Sequence, residues 1–512
     1  MNFALNIEKS CRLFPDKTCV IQEDIRLTFN QMEERANRLA KALVEMGIKP
    51  GDRVALFQTN CFQFCEMLYA VGKVAGIFIN LNFRFRGEEA TYILNNCTPK
   101  VLILGDRYIE LIKDIRPNLP SIEHYIVIGE RPADLHGYEA LLSRQSGTPF
   151  PCLSVQEDDT SCLIYTSGTT GYPKGAMITQ ANIKTPLTDR YTIGEGTLLL
   201  NVPMYHIAGV VSTLLPLYRG DTQIVLPQFD TGVFLDIVER EKVATTYLVP
   251  TMLQGILDHP DFPKKDLNSL RHIGYGASPM PVNLLMRAKE LLKADFTNFF
   301  GLTESTGIVS VLSPEDHKLE GSPEEVTKKT RRLSGIGHSI PEGEVRIVDD
   351  QDRDVPHGTV GEIIARGKKV MKGYWNKPKE TEETLRGGWL HTGDLASMDE
   401  DGYLTLAGRK KDMIIRGGEN IYPVEIENVL HSHPKILEAA VIGVPDQYWG
   451  EIVKAVIVLR PGQQSSAQEI IDYCHEKLAS YKKPAMVEFV AALPKNAMQK
   501  VLKNILRGEK PQ

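Results

Sequence analysis

The chain of 512 residues contains no C-x-x-C pair; its eight cysteines stand at 11, 19, 61, 65, 97, 152, 162 and 474. In a chain this long such scatter argues against both a disulfide framework and a zinc site. Cys61 and Cys65, four apart in "CFQFCEMLYAVGKVA", read as buried packing on a helix rather than as redox chemistry. No H-E-x-x-H occurs among the twelve histidines, and His431 and His433 of "HSH" read as surface residues at a helix end. No run approaches the roughly 18 apolar residues of a membrane span. The opening "MNFALNIEKSCRLFP" lacks a basic start followed by an apolar core, so a cytoplasmic protein is expected. The composition, 42% hydrophobic and 24% charged, is that of an ordinary soluble protein, and the net charge of −6 gives no reason to expect nucleic acid as a partner. Oligomeric state is not fixed by these features, and a homodimer stays open.

What is present is alternation. "LTFNQMEERANRLAKALVEMGI" has helical period, "RVALFQ" reads as a strand, "CFQFCEMLYAVGKVA" as a helix, "IFINL" as a strand, "GEEATYILNNC" as a helix and "KVLIL" as a strand. The pattern returns in "FLDIVEREKV", "TTYLV" and "PVNLLMRAKELL". Such alternation predicts an α/β fold with largely parallel sheets flanked by helices. From Gly335 the texture changes to short strands and turns, "GEVRIVDD", "GEIIARG" and "GWLHTGDLASMDEDGYLTLAG", which predicts a β-rich subdomain. After Gly408 the charge balance reverses, and residues 478–512 hold seven basic residues against two acidic ones. We expect a large domain over 1–407 and a small, mobile α+β domain over 408–512, whose basic tail suits an anionic ligand held by the acidic body.

The stretch "YTSGTTGYPKG", Tyr165 to Gly175, concentrates glycines, hydroxyls and one lysine. Glycines let a backbone approach a ligand closely, and hydroxyls, amides and lysine all donate to phosphate oxygens. It is not the familiar G-x-x-x-x-G-K-[ST] loop, because Gly168 and Gly171 are too close together and Pro173 turns Tyr172 away from helical angles. A strand, "SCLIY", precedes it, and regular structure resumes at "AMITQANI".

Further along come "NVPMYHIAG", "GYGASP", "NFFGLTES", "WLHTGDLA", "GRKKDMIIRGGENIYPVEIE" and "LPKNAMQKVLKNILR". In this order and spacing, over nearly the whole chain, the set resembles the adenylate-forming (AMP-binding) superfamily of acyl-CoA synthetases, peptide-synthetase adenylation domains and luciferases. The resemblance implies ATP, Mg²⁺ and coenzyme A. Residue by residue, it implies that Thr166, Ser167, Gly168, Thr169, Thr170, Gly171 and Lys174 close over the ATP phosphates. Gly276, Ala277 and Gly301 fall in nucleotide-binding turns, and Asn298 and Phe300 at the positions that hold adenine. Phenylalanine replaces the commoner tyrosine at 300, which keeps stacking and loses a hydroxyl. Thr303 is implied at the α-phosphate, Glu304 at Mg²⁺, Asp394 at the ribose with Arg409 assisting, and His206 beside the acyl substrate. Lys500 matches the catalytic lysine of the terminal domain, with Gln499 where glycine is usual. Lys411 falls at the hinge, and Gly418 at the tunnel that admits the pantetheine thiol.

The chemistry implied is attack of a carboxylate on the α-phosphorus of ATP, loss of pyrophosphate, and transfer of the acyl group from AMP to a thiol. No hydrolase arrangement competes, because "GYGASPM" does not complete G-x-S-x-G around Ser278. An apolar Ile207 stands where adenylation domains for amino acids carry an acid. Ala208 and Gly209 on one side, with Gly274, Gly276 and Ala277 on the other, leave volume, and Tyr247 supplies wall. These residues point to an apolar acid, either a medium or long fatty acid or a cyclic or aromatic one. A ligase delivering to a carrier-protein thiol and a nucleotide-binding regulator that has lost catalysis are the alternatives.

Overall fold

The computed structural model describes residues 2–166, 172–184, 194–341, 343–495 and 501–509. The first long helix, Phe29–Glu45, starts where its sequence says it should. The Thr28 hydroxyl accepts from the Gln31 N–H (3.2 Å) and the Gln31 side chain accepts from the Thr28 N–H (2.8 Å), so two otherwise orphaned donors are satisfied at once.

Two large sheets follow from the alternating segments. The seven-stranded sheet runs in the order His136–Gly137, His124–Ile128, Val101–Gly105, Arg53–Phe57, Ile77–Asn80, Thr160–Thr166, Lys174–Thr179. Every pairing in it is parallel except the last. The nine-stranded sheet has a parallel centre, Asp295–Phe300, His272–Gly276, Thr245–Leu248, Leu198–Leu200, Gln223–Val225 and Thr18–Gln22, with antiparallel strands at both edges. Strands such as Val101–Gly105 and Thr245–Leu248 are buried along their whole length, as parallel strands covered on both faces must be.

The β-rich segment forms a four-stranded antiparallel sheet, Gly343–Val348, Gly361–Gly367, Leu390–Met398, Leu404–Arg409. Immediately after it, a five-stranded sheet centred on Ile436–Asp446 and Gly450–Leu459 packs against the helices Pro423–His431 and Ala467–Lys477. Among the described residues no helix is long and apolar enough to cross a membrane.

Two local readings change. His433 is buried, not a surface residue: its ring lies 4.6 Å from that of Tyr473, and its Nδ1 accepts from the Lys435 N–H at 3.2 Å. Its neighbour His431 is half-buried, and burial lowers its pKa. Between the strands Ser310–Leu312 and His338–Ser339 an unexpected helix, Pro323–Arg332, buries none of its residues and is held at its start by a Ser322–Glu325 capping box. All eight cysteines are free; seven are buried and Cys152 is half-buried. Burial alone pushes the Cys162 thiol up to about 12, as expected of cysteines used for packing.

The topology decides where a ligand can go. In open parallel sheets the loops beyond the C-terminal ends of the strands form the binding crevice. Here those ends deliver Asn80 and Tyr165 from one sheet, and Gly276 and Phe300 from the other, toward a common cleft.

Candidate active site

The cleft is a single cavity of 2010 Å³ between the parallel-sheet region, the four-stranded sheet and the C-terminal domain. Nine of the residues singled out by motif border it: His206, Gly276, Ala277, Asn298, Phe300, Gly301, Asp394, Arg409 and Lys411.

One wall is made by turns that admit no larger side chain. A Cβ on Gly276 would lie 2.3 Å from the Phe299 carbonyl oxygen and 2.5 Å from the Tyr247 hydroxyl, and one on Gly301 would lie 2.5 Å from the Gly307 carbonyl oxygen. Ala277 follows with φ of +65°, a left-handed conformation that costs a non-glycine residue energy and that a functional turn tolerates. Asn298 is buried, its amide donating to the Gly335 carbonyl at 3.4 Å. Phe300 packs its ring on the small cluster around Ile336 and Leu404. An amide, an aromatic face and close-packed backbone together make a surface suited to a flat heterocycle.

On the four-stranded sheet, Asp394 and Arg409 face each other in register across the strands Leu390–Met398 and Leu404–Arg409. Arg409 Nε lies 2.9 Å from Asp394 Oδ1, and Asp394 is 6% exposed. The Thr392 hydroxyl donates to the Ile363 carbonyl (2.7 Å) and accepts from the Asp394 N–H (3.1 Å), which fixes the turn that presents the carboxylate. A carboxylate held this way accepts readily from a pair of hydroxyls.

Ser167, Gly168, Thr169, Thr170 and Gly171 lie outside the described residues, but both flanks of their loop are set. Thr166 and Lys174 pair across an antiparallel hairpin, so the loop joins two strands rather than a strand and a helix. That is the outcome expected when Pro173 bars a helix through the lysine. The Lys174 ammonium sits 5.2 Å from the centre of the Tyr374 ring, and the Tyr374 hydroxyl donates to Glu304 Oε1 at 2.7 Å. Glu304 and Thr303 occupy the short turn Thr303–Ser305. Motif reading passed over Tyr374, which comes from "MKGYWN", 70 residues beyond its carboxylate partner. Among the described residues no group of three or more His, Cys, Asp or Glu side chains could hold a metal by itself. A lone Glu304 therefore fits Mg²⁺ only in the form that takes one protein carboxylate together with substrate phosphates.

The acyl-side residues lie just behind this surface. His206 stands at the start of the helix Ile207–Arg219, without a side-chain capping bond, and rests on Tyr205, ring centres 4.4 Å apart. Burial pushes its pKa down to about 4, so it is a neutral imidazole at physiological pH. Ile207 is buried and Ala208 half-buried. Gly209 leaves no free volume: a Cβ there would lie 2.4 Å from the Met204 Cα and 2.5 Å from the Pro203 carbonyl oxygen, so this glycine lets the helix close on the preceding loop. Gly274 likewise makes room for rings, its Cβ position being 3.0 Å from the Phe299 ring and 3.2 Å from that of Tyr247. Those two rings are stacked at 6.4 Å.

The C-terminal domain contributes a row of ion pairs. Lys495 pairs with Glu438 (2.6 Å), Lys503 with Glu427 (2.7 Å) and Arg507 with Asp412 (2.8 Å), and all six residues border the cavity. Lys500 lies outside the described residues, between Lys495 and Val501, which form an isolated bridge. Lys411 sits in the turn Lys410–Asp412 that leads out of the four-stranded sheet, and burial lowers its pKa. Gly418 is not brought to the cavity; its φ is +89° and a Cβ there would meet nothing within 4 Å.

Comparison with known proteins agrees with this geometry. Residues 7–375 match the family described as AMP-binding enzyme, and residues 425–500 match the AMP-binding enzyme C-terminal domain. The chain is 36% identical over 504 residues to the feruloyl-CoA synthase of an Amycolatopsis species, covering 98% of this chain and 97% of that one. It is 34% identical over 498 residues to the long-chain-fatty-acid–CoA ligase FadD13 of Mycobacterium tuberculosis (strain CDC 1551 / Oshkosh), covering 95% and 93%. Among solved structures, the anthranilate CoA ligase AuaEII in complex with anthranoyl-AMP superposes with a TM-score of 0.90 at 30% identity, covering 99% of this chain and 97% of that one.

Proposed function

Because this chain belongs to the AMP-binding enzyme family and is an adenylate-forming acyl-CoA ligase, we propose that it activates an apolar carboxylic acid carrying an aromatic or cyclic group. The observation that carries this choice is the stacked Phe299–Tyr247 pair, whose Phe299 borders the same cavity as His206. The space beside Gly274 is taken by the Phe299 and Tyr247 rings, and that beside Gly276 by the Phe299 carbonyl and the Tyr247 hydroxyl; both rings belong to the same buried cluster as the apolar Ile207, and His206 on the same cavity is a neutral imidazole. Ile207, Ala208 and Gly209 offer no charge to a substrate amine. The similarity to feruloyl-CoA synthase and to the anthranilate ligase supports the same class. A fatty acid is the second reading, supported by the similarity to FadD13.

In the first half-reaction the substrate carboxylate oxygen attacks the α-phosphorus of ATP, and the bond to pyrophosphate breaks. In the second, the CoA thiolate attacks the acyl carbonyl carbon and AMP leaves. Thr166, Ser167, Gly168, Thr169, Thr170, Gly171 and Lys174 hold the leaving phosphates. Asn298 and Phe300 hold adenine with Gly276, Ala277 and Gly301, and Asp394 with Arg409 holds the ribose. Bound Mg²⁺ supplies neutralisation of phosphate charge, with Glu304 as its protein ligand and Thr303 at the α-phosphate. Lys500 reaches the same phosphate from the C-terminal domain. We place the division at 1–407 and 408–512 with the pivot near Lys411. Rotation there withdraws Lys500 and brings Gly418 to the cleft for the thiol. A cytoplasmic setting supplies both ATP and CoA.

The test is pyrophosphate release over a panel of benzoates, arylpropenoates, C8–C16 fatty acids, acetate and amino acids, with and without CoA. Ring-bearing acids should give the highest kcat/KM. A steady rise with fatty chain length would move the assignment to the second reading, and best activity with an amino acid would overturn both.

A further inference from the structure

Tyr374 lies outside the motifs quoted above, yet it joins two of them. It is 7% exposed. Its hydroxyl donates to Glu304 Oε1 at 2.7 Å, and the Lys174 ammonium lies 5.2 Å from its ring centre. The backbone on either side is tied to the same two elements. The Met371 N–H donates to the Glu304 carbonyl, the Met177 N–H to the Gly373 carbonyl and the Trp375 N–H to the Gly175 carbonyl, each at 2.8 Å. Tyr374 also forms an isolated antiparallel bridge with Ala176, and its own N–H donates to the Thr381 hydroxyl at 2.9 Å. The short segment 371–375 is therefore a splint between the strand Lys174–Thr179, which leaves the glycine-rich loop, and the turn Thr303–Ser305.

A splint explains the peptide bonds but not the side chain. Backbone pairing alone would hold the two elements with any residue at 374. The phenol adds a charge-sensitive contact to each, a hydrogen bond to the one carboxylate and a ring face to the one lysine that the glycine-rich hairpin presents. Among the described residues no carboxylate forms a salt bridge with Lys174, and Glu380 acts on it only at longer range.

We propose that Tyr374 is a positioning residue for nucleotide binding: its hydroxyl orients the Glu304 carboxylate toward a divalent cation, and its ring holds the Lys174 ammonium at the entrance for the phosphates. This rests on the reading of Glu304 as the cation ligand and Lys174 as a phosphate ligand. Hydrogen-bond partners of a ligating carboxylate fix its direction, and their loss commonly weakens metal affinity about 10- to 100-fold. A cation over an aromatic face is held less strongly, at a level that changes an equilibrium severalfold.

The experiment is calorimetric titration of the full chain with α,β-methylene ATP, once with Mg²⁺ and once in EDTA, so that binding is read without turnover. Tyr374→Phe keeps the ring and removes the hydroxyl. It should lower affinity about tenfold with Mg²⁺ and leave affinity in EDTA unchanged. Tyr374→Leu removes both and should lower affinity in EDTA by about threefold as well. Glu304→Gln should match Tyr374→Phe, and thermal melts establish that each variant is folded. Should Glu304→Gln lose the Mg²⁺-dependent gain while Tyr374→Phe retains it in full, the role of the hydroxyl is overturned and the cation reading stands. Should Glu304→Gln retain that gain too, the cation reading falls and the proposal with it. Equal affinities for the Phe and Leu variants in EDTA would overturn the role of the ring.

Discussion

A Cβ added at Gly276 would lie 2.3 Å from a backbone oxygen, whereas one added at Gly418 would meet nothing within 4 Å. The first glycine is required by what is already packed around it, and the second by its left-handed backbone, φ +89°. The same contrast divides the two sides of the molecule. The parallel-sheet side builds its wall from buried groups that have no alternative position, such as Asn298 and the Phe299–Tyr247 stack. The C-terminal side borders the cleft with three ion pairs internal to it, Lys495–Glu438, Lys503–Glu427 and Arg507–Asp412, which tie its own elements together while the packed wall opposite is held by its core. A wall fixed by packing, opposite a domain that carries its own charged pairs, suits the rotation proposed above, in which adenylate is made and consumed at one place.

The sharpest way to break this comparison is to remove the charge that the mobile side is proposed to bring. Lys500→Ala should slow adenylate formation about 100-fold, the scale of losing one electrostatic stabiliser, with thioester formation from supplied acyl-adenylate nearly normal. Pyrophosphate exchange and acyl-CoA synthesis, measured separately, decide it; equal loss in both half-reactions would end the alternating assignment. On the rigid side, Gly276→Ala should cost about 2 kcal/mol in chemical denaturation through overpacking and weaken ATP binding in parallel. Gly418→Leu should do the reverse. Acyl-CoA synthesis should fall about tenfold, on the scale of one misplaced contact, while pyrophosphate exchange is kept and the left-handed backbone costs about 1 kcal/mol.

The smallest effect concerns His206. Its folded pKa is lowered to about 4 from an ordinary 6.5, so the folded state prefers the neutral ring. The stability it contributes is therefore complete above pH 6.5 and is lost as pH falls through 4. Thermal melts of wild type and His206→Gln should converge as pH falls from 7 to 4, and a constant difference would show that the ring is not desolvated in the folded chain.

These regions were not equally legible in the sequence. Helical and strand periodicity and the run of motifs are local signals, and the parallel sheets, the helix Phe29–Glu45 and the cleft-lining turns follow from them. The hairpin across the glycine-rich loop was half legible: Pro173 excluded a helix, but nothing local told that Lys174–Thr179 pairs antiparallel with Thr160–Thr166. Gly209 shows a different limit. A small residue beside a pocket reads as space, yet which neighbour fills that space depends on the path of the loop Pro203–Met204, and periodicity does not encode it. Tyr374 and His433 were missed for one reason. Their partners, Glu304 and Tyr473, lie 70 and 40 residues away and come together only when the chain is folded.

The burial of the cysteines makes the native chain nearly silent to alkylating reagents. Seven thiols are inaccessible, and the half-buried Cys152 is pushed up to about 12, first by burial and further by its hydrogen bond to Glu8, so it holds little thiolate at neutral pH. Two cysteines introduced at exposed positions, Lys293→Cys on the parallel-sheet side and Gln464→Cys on the C-terminal domain, would then take a donor and an acceptor dye without stripping the native thiols. Energy transfer between them would show one molecule at a time whether the proposed domain rotation occurs, with ATP, acid and CoA added in turn.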